Sequence, residues 1–127
     1  MEQGLRLFLD GLGALQPADR ARAARTTARA WADDLAEGHF VDLDRILVPM
    51  AAGHRTPEVI FVDGLHFAAL CPHHLLPVRG IVRLAYQPRE RIAPLGQLAR
   101  LVEAASRRLI LQEDLAELVA DVMVRSL

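Results

Sequence analysis

The chain has 127 residues, of which 52% are hydrophobic and 24% are charged, and its net charge is −1. This length predicts a single domain, residues 1–127, and the composition is typical of a folded protein with a small core. The balanced charge argues against a nucleic-acid or membrane-surface binder, and no apolar run approaches the roughly 20 residues of a membrane span.

Arginine and cysteine usage bears on the chemistry that is available. All fifteen basic residues are arginine, so any anion site would rely on guanidinium groups, which bind carboxylate and phosphate through paired hydrogen bonds. The chain has one cysteine and therefore no internal disulfide, which is typical of a reducing compartment. The N-terminus lacks a basic region followed by an apolar run, so we expect no signal peptide and a cytoplasmic location.

The N-terminal part of the chain, residues 1–38, predicts two helices. Apolar residues recur at helical spacing over residues 4–16. A stronger helix is predicted over residues 18–37, because Pro17 suits its start and Gly38 suits its end. The arginines along one flank of this helix are expected to form a solvated face.

Residues 39–57 are predicted to form a loop, since aspartate, glycine and proline punctuate the segment. Residues 43–47 are compatible with one helical turn. His39 and His54 lie in this segment, and both are expected to be exposed loop histidines.

After residue 58 the residue pattern changes from that of helices to that of extended strands. β-Branched and aromatic residues predict extended segments over residues 59–62, 65–70 and 80–86. Between the first two stands Asp63-Gly64, the dipeptide most typical of a tight turn. Residues 71–77 lie between two extended regions and therefore at the end of a sheet, where irregular loops often carry sites.

Two amphipathic helices are predicted after the strands. Pro94 opens the first, which ends near Arg107, and the second begins at Gln112 with acidic residues in its first turn, where the helix dipole favours them. The order of helices, strands and helices predicts an α+β domain whose core spans residues 58–127.

The candidate site is residues 71–77, Cys-Pro-His-His-Leu-Leu-Pro. The C-x-x-H spacing of Cys71 and His74 brings a thiolate and an imidazole to one turn, and zinc takes both at about 2.0–2.3 Å, but it needs at least a third ligand. The same pair in hydrogen-bond reach would suit Cys–His nucleophilic catalysis. A structural interpretation is a buried cysteine beside a turn with two packing or capping histidines.

Four segments between residues 66 and 115 resemble the GTP cyclohydrolase I family in order and spacing. Residues 71–77 resemble the family's C-E-H-H-L-L-P motif, and residues 80–88 resemble its G-x-x-H-V-A-Y-x-P strand. Residues 95–100 look like its L-S-K-L-A-R helix start, and residues 107–115 are similar to its R-R-x-Q-x-Q-E-R-L segment. The N-terminal helix resembles the family more loosely.

This resemblance implies the tunnelling fold, in which each subunit has a four-stranded antiparallel sheet with two helices between its second and third strands. Subunits join sheets edge to edge into rings, and active sites lie between subunits. The implied reaction is hydrolysis of GTP with Zn²⁺, which lowers the pKa of bound water to about 7. Attack on C8 of guanine releases formate, and rearrangement gives 7,8-dihydroneopterin triphosphate for folate or tetrahydrobiopterin synthesis.

The resemblance also implies a role for individual residues. Cys71 and His74 match two of three zinc ligands, and His73 matches a histidine that handles protons beside the metal-bound water. Gln112 and Glu113 match the pair that holds the guanine base, and a carboxylate is suited to accept two N–H groups from a guanine edge.

Arg100 matches an arginine near the triphosphate. Gly96 and Gln97 replace a serine and a lysine of the family there, which is expected to weaken triphosphate binding by about 1–3 kcal/mol, although helix N-terminal amides still suit phosphate. Pro72 replaces a glutamate within the metal turn.

The family continues with two more strands that carry a second catalytic histidine, a cysteine as third zinc ligand and another phosphate-binding arginine. We expect this half of the sheet to be missing here, and three hypotheses follow. The first is a cyclohydrolase whose remaining ligands come from a partner subunit in a homo- or hetero-oligomer, with GTP or a related purine nucleotide as substrate. The second is an inactive metal- or nucleotide-binding assembly subunit, and the third is an unrelated α+β interaction domain. His66 is a candidate replacement ligand.

Overall fold

The structure, a computed structural model, describes residues 1–13, 15–53 and 58–127, so that His54 lies outside the described residues. The α+β architecture is confirmed. The helices and strands are α1 (Glu2–Leu12), α2 (Pro17–Ala30), β1 (Met50–Ala51), β2 (Ile60–Leu70), β3 (Pro77–Tyr86), β4 (Arg91–Ile92), α3 (Leu95–Ser106) and α4 (Gln112–Ser126). None of the described helices combines the length and apolar character required to cross a bilayer.

The central element is the antiparallel pair of β2 and β3. Side chains of β3 alternate between half-buried and exposed, as expected for a strand with one face on a core. The short strands β1 and β4 form a separate pair, with Met50 opposite Ile92. Within the described residues β3 pairs only with β2, so the other edge of β3 is open.

The prediction of a turn at Asp63-Gly64 is wrong, because β2 runs through both residues as one strand. The register shifts between Val62 and Leu65, so two residues of β2 lie opposite Arg83 and form a β-bulge. Gly64 takes the positive φ of +79° that the bulge requires. The Asp63 carboxylate accepts hydrogen bonds from Arg83 Nε at 2.9 Å and from the Gly64 N–H at 2.6 Å, and these hold its pKa below the ordinary value.

The core lies between the inner face of the β2–β3 pair and the helices α3 and α4. Both helix predictions are confirmed, with Pro94 directly before α3 and Glu113 in the first turn of α4. The buried side chains of these helices are Leu98, Leu101, Val102, Ala105, Leu115, Val119, Val122 and Met123. The predicted loop over residues 39–57 also contributes to the core through Leu43 and Leu47, and it contains the strand β1.

The N-terminal helices lie outside this core. α1 contacts α2 but has no buried residue. The predicted helix over residues 18–37 is shorter than expected: the α-helix ends at Ala30 and continues as a π-helical turn, Trp31–Leu35, and a 3-10 turn, Glu37–Phe40. At the end of this segment a tertiary hydrogen bond replaces a helical one, because Gly38 donates its N–H to the Arg107 carbonyl at 2.8 Å.

Gly38→Ala is expected to lower the free energy of unfolding by about 3 kcal/mol. A Cβ atom on Gly38 would lie 2.6 Å from the Arg107 carbonyl oxygen and nearer still to that of Ala104, and both are backbone atoms that cannot rotate away. Urea denaturation of the variant measures this loss. Gly96→Ala is the matched control, because nothing lies within 4 Å of its added Cβ, and equal stabilities of the two variants would contradict the packing account.

Candidate active site

Residues 71–76 connect β2 to β3, and we refer to them as the 71–76 turn. The Cys71 N–H donates to the Leu76 carbonyl at 3.0 Å, and the Leu75 N–H donates to the Cys71 carbonyl at 2.8 Å. Leu75 has a φ of +54°, in the left-handed region that costs a branched side chain about 1–2 kcal/mol. The backbone of Cys71 thus closes the turn with both of its polar groups.

The Cys71 Sγ atom lies 3.5 Å from Nδ1 of His74. A thiolate at about 2.3 Å and an imidazole nitrogen at about 2.05 Å from a tetrahedral zinc ion would be about 3.6 Å apart. The pair therefore fits two corners of such a site, and the same distance suits a weak thiol–imidazole hydrogen bond. Cys71 is half-buried and His74 is exposed, so the interpretation of a buried cysteine with packed histidines does not hold.

The His73 side chain is exposed on the same turn. Its ring centroid lies 6.2 Å from that of His74, with the two ring planes at 89°. His73 therefore lies beside the Cys71–His74 pair, and its ring occupies a different position from the ring of His74.

No third ligand joins Cys71 and His74 in the part of the chain that the structure describes, where no three His, Cys, Asp or Glu side chains are grouped to hold a metal ion. His66 precedes Cys71 by five positions on the extended strand β2, about 16 Å at roughly 3.3 Å per residue. The hypothesis that His66 completes the site within the same chain is therefore wrong.

The connection between α3 and α4, residues 107–111, is called the link here. It runs beside the end of β2, where the Leu70 N–H donates to the Arg108 carbonyl at 3.2 Å and the Ile110 N–H donates to the Leu70 carbonyl at 3.0 Å. Leu70 directly precedes Cys71, and the link leads directly into α4. These two bonds tie the 71–76 turn to the start of α4.

Gln112 and Glu113 lie in the first turn of α4, and both are exposed. Gln112 lines a cavity of about 450 Å³ between β3 and α4, whose walls are mainly apolar. Among the described residues Glu113 has no hydrogen-bond or ion-pair partner, so its carboxylate is available to a ligand. A free carboxylate beside an amide is a donor and acceptor set that suits a purine edge.

Arg100 lies on α3 and is exposed. It lines a separate cavity of about 220 Å³ together with Glu103 and Arg107. Neither this cavity nor the one beside Gln112 is lined by Cys71. The structure thus groups the Cys and His residues and connects them to the start of α4 through the link, and Arg100 lines a different cavity from Gln112.

His39 makes a contact that the sequence did not indicate. It is exposed, as predicted, but its Nε2 atom accepts the N–H of Leu109 in the link at 3.0 Å. The two residues are 70 positions apart, and no local pattern in the sequence signals the contact.

Comparison with known proteins places these observations in one family. A sequence model of GTP cyclohydrolase I matches residues 1–127. The chain is 35% identical to GTP cyclohydrolase 1 of Aquifex aeolicus and 30% identical to that of Wolinella succinogenes; each alignment covers 100% of this chain, with 67% and 68% of the relative. The Streptococcus pyogenes enzyme is 44% identical over 55% of the chain. The chain spans about two thirds of the length of the first two relatives, and it belongs to the GTP cyclohydrolase I family.

Proposed function

We propose that this chain forms part of a hydrolase that opens the guanine imidazole ring of GTP and gives 7,8-dihydroneopterin triphosphate and formate. The observation that carries the proposal is the 3.5 Å separation of Cys71 Sγ and His74 Nδ1, which fits two zinc ligands on one turn. Relatives that align with the whole chain are named GTP cyclohydrolase 1, which supports the same reaction.

Cys71 and His74 would hold the zinc ion, with a third ligand from polypeptide outside the described residues, either a further segment or a neighbouring subunit. A zinc ion held there would supply Lewis-acid activation of water at neutral pH. The open edge of β3 supports such an addition, because a ten-residue strand edge ordinarily pairs or is covered. Gln112 and Arg100 line different cavities, as expected of a site shared between subunits.

His73 would move the protons. In this proposal its ring takes a proton from the attacking water and returns it to the imidazole nitrogen that leaves C8 as the ring opens, and the exposure of that ring beside His74 supports the role. Arg100, which has no ion-pair partner among the described residues, would bind the triphosphate.

Gln112 and Glu113 would bind the guanine base. We expect Glu113→Ala to weaken GTP binding by roughly 10- to 100-fold, the effect of losing hydrogen bonds to a charged acceptor. Isothermal titration with GTP measures the change. Glu117→Ala, one turn further along the same helix and also exposed, is the matched control. Equal losses in the two variants would indicate a general charge effect instead of a contact with guanine.

The test of the proposed function is GTP turnover by the purified protein, followed by pterin absorbance in the near-ultraviolet, with zinc measured on the same sample. Pterin formation supports a hydrolase. Zinc or nucleotide binding without pterin would instead indicate either a half-enzyme that requires a partner chain or an inactive assembly subunit of the same fold, and turnover after addition of a chain that supplies the missing ligands would distinguish the two.

A further inference from the structure

A second segment holds the link from the side opposite β2. Residues 37–41, which we call the flank, follow α2 and its π-helical turn. The backbone of Gly38 reaches the Arg107 carbonyl, and the Arg107 guanidinium bridges Glu37 at 2.8 Å and Glu103 at 2.7 Å. The absence of a side chain at Gly38 is what allows this close approach.

His39 supplies the flank's contact at the middle of the link. Leu70 of β2 bonds to Arg108 and Ile110, the residues on either side of Leu109. In an extended segment the polar groups of successive residues alternate in direction, so the Leu109 N–H faces away from β2. Its acceptor there is the Nε2 atom of His39 at 3.0 Å, which requires an imidazole without a proton on Nε2.

We propose that His39 is a positioning residue for the Gln112–Glu113 pair. Its imidazole fixes Leu109, three residues before Gln112, so that the link is held between β2 on one side and the flank on the other. The start of α4 is thereby fixed relative to the 71–76 turn, whose cysteine directly follows Leu70. This inference rests on the proposed function, in which Gln112 and Glu113 bind guanine beside the zinc ligands.

Two substitutions at His39 distinguish the effect of the hydrogen-bond acceptor from the effect of side-chain volume. His39→Gln keeps an acceptor, Oε1, at a reach similar to that of Nε2, whereas His39→Leu fills similar space without one. For His39→Leu we expect faster hydrogen exchange of the Leu109 amide and about tenfold weaker GTP binding, with zinc content unchanged. His39→Gln is expected to restore both the exchange rate and the GTP affinity to near the wild-type values.

The measurements are amide exchange by NMR, isothermal titration with GTP and zinc analysis on the three proteins. GTP affinity that is unchanged in His39→Leu would overturn the positioning role and leave the proposed function intact. Equal weakening in His39→Leu and His39→Gln would also overturn it, since the acceptor would then not be the operative feature. Absence of GTP binding by the wild-type protein would overturn the proposed function itself and the positioning role with it.

Discussion

Replacing Cys71 by serine is expected to remove zinc from the protein and to abolish GTP turnover. A serine hydroxyl stays protonated at neutral pH and is a poor ligand for zinc, so only His74 would remain of the two ligands on the 71–76 turn. We expect zinc affinity to fall by more than about 100-fold, beyond the 10- to 100-fold typical of losing an outer-shell partner. Zinc per chain after exhaustive dialysis, together with pterin formation, measures the effect.

Leu76→Ser is the matched control for Cys71→Ser. Leu76 lies on the same turn and is 63% exposed, and its bond to Cys71 is made by the backbone carbonyl, which the substitution keeps. This variant should keep its zinc. Full zinc content in Cys71→Ser would show that Cys71 is not a ligand, and equal loss in both variants would attribute the loss to disruption of the turn.

Alkylation of Cys71 distinguishes the zinc ligand from a Cys–His nucleophile. A thiolate bound to zinc reacts slowly with iodoacetamide, and removal of the metal should expose it. A nucleophile activated by His74 should react rapidly whether or not zinc is present. Protection of Cys71 by zinc is therefore the result expected from the proposed function.

The helices of the core follow from the sequence because their signal is local. Apolar side chains recur every three or four residues in α3 and α4, and residues such as Leu98, Leu101 and Leu115 are buried. Pro94 and the acidic residues after Leu111 mark the two starts, so position and type are both predictable.

The β-bulge in β2 is a feature that local sequence signals do not predict. Asp63-Gly64 favours a positive φ in either a hairpin turn or a β-bulge, and the dipeptide alone does not choose between them. The choice depends on β3, which pairs with β2 on both sides of the bulge and places Arg83 against the Asp63 carboxylate. A strand partner about 20 residues away in sequence therefore decides the structure, and local pattern reading fails there.

The candidate site likewise contains one contact that is local in the sequence and others that are long-range. Cys71 and His74 are three residues apart on one turn, so their proximity is predictable from spacing and is found at 3.5 Å. The attachment of the link to Leu70 and to His39 joins segments that are far apart in the chain, and only the folded structure reveals it. No third ligand joins the pair among the described residues, so neither the spacing nor the structure identifies one.

His73→Gln is expected to keep the zinc and to lose most of the turnover. Glutamine retains a hydrogen-bonding side chain but does not exchange protons near neutral pH, so kcat should fall by about 10²- to 10⁴-fold, the usual contribution of a general acid–base group. The ring of His73 is distinct from that of His74, with centroids 6.2 Å apart, so the metal ligands should be undisturbed. Steady-state kinetics and zinc analysis on one preparation measure both quantities.

His66→Gln is the matched control for His73→Gln, because His66 is an exposed histidine on the neighbouring strand and lies too far from Cys71 to contact the same ion. It should keep both kcat and zinc. Loss of zinc in His73→Gln would instead identify His73 as a ligand, and an unchanged kcat would assign the proton transfer to another group. Because the two residues differ in their distance from the 71–76 turn, a selective loss in His73→Gln would locate the chemistry at that turn.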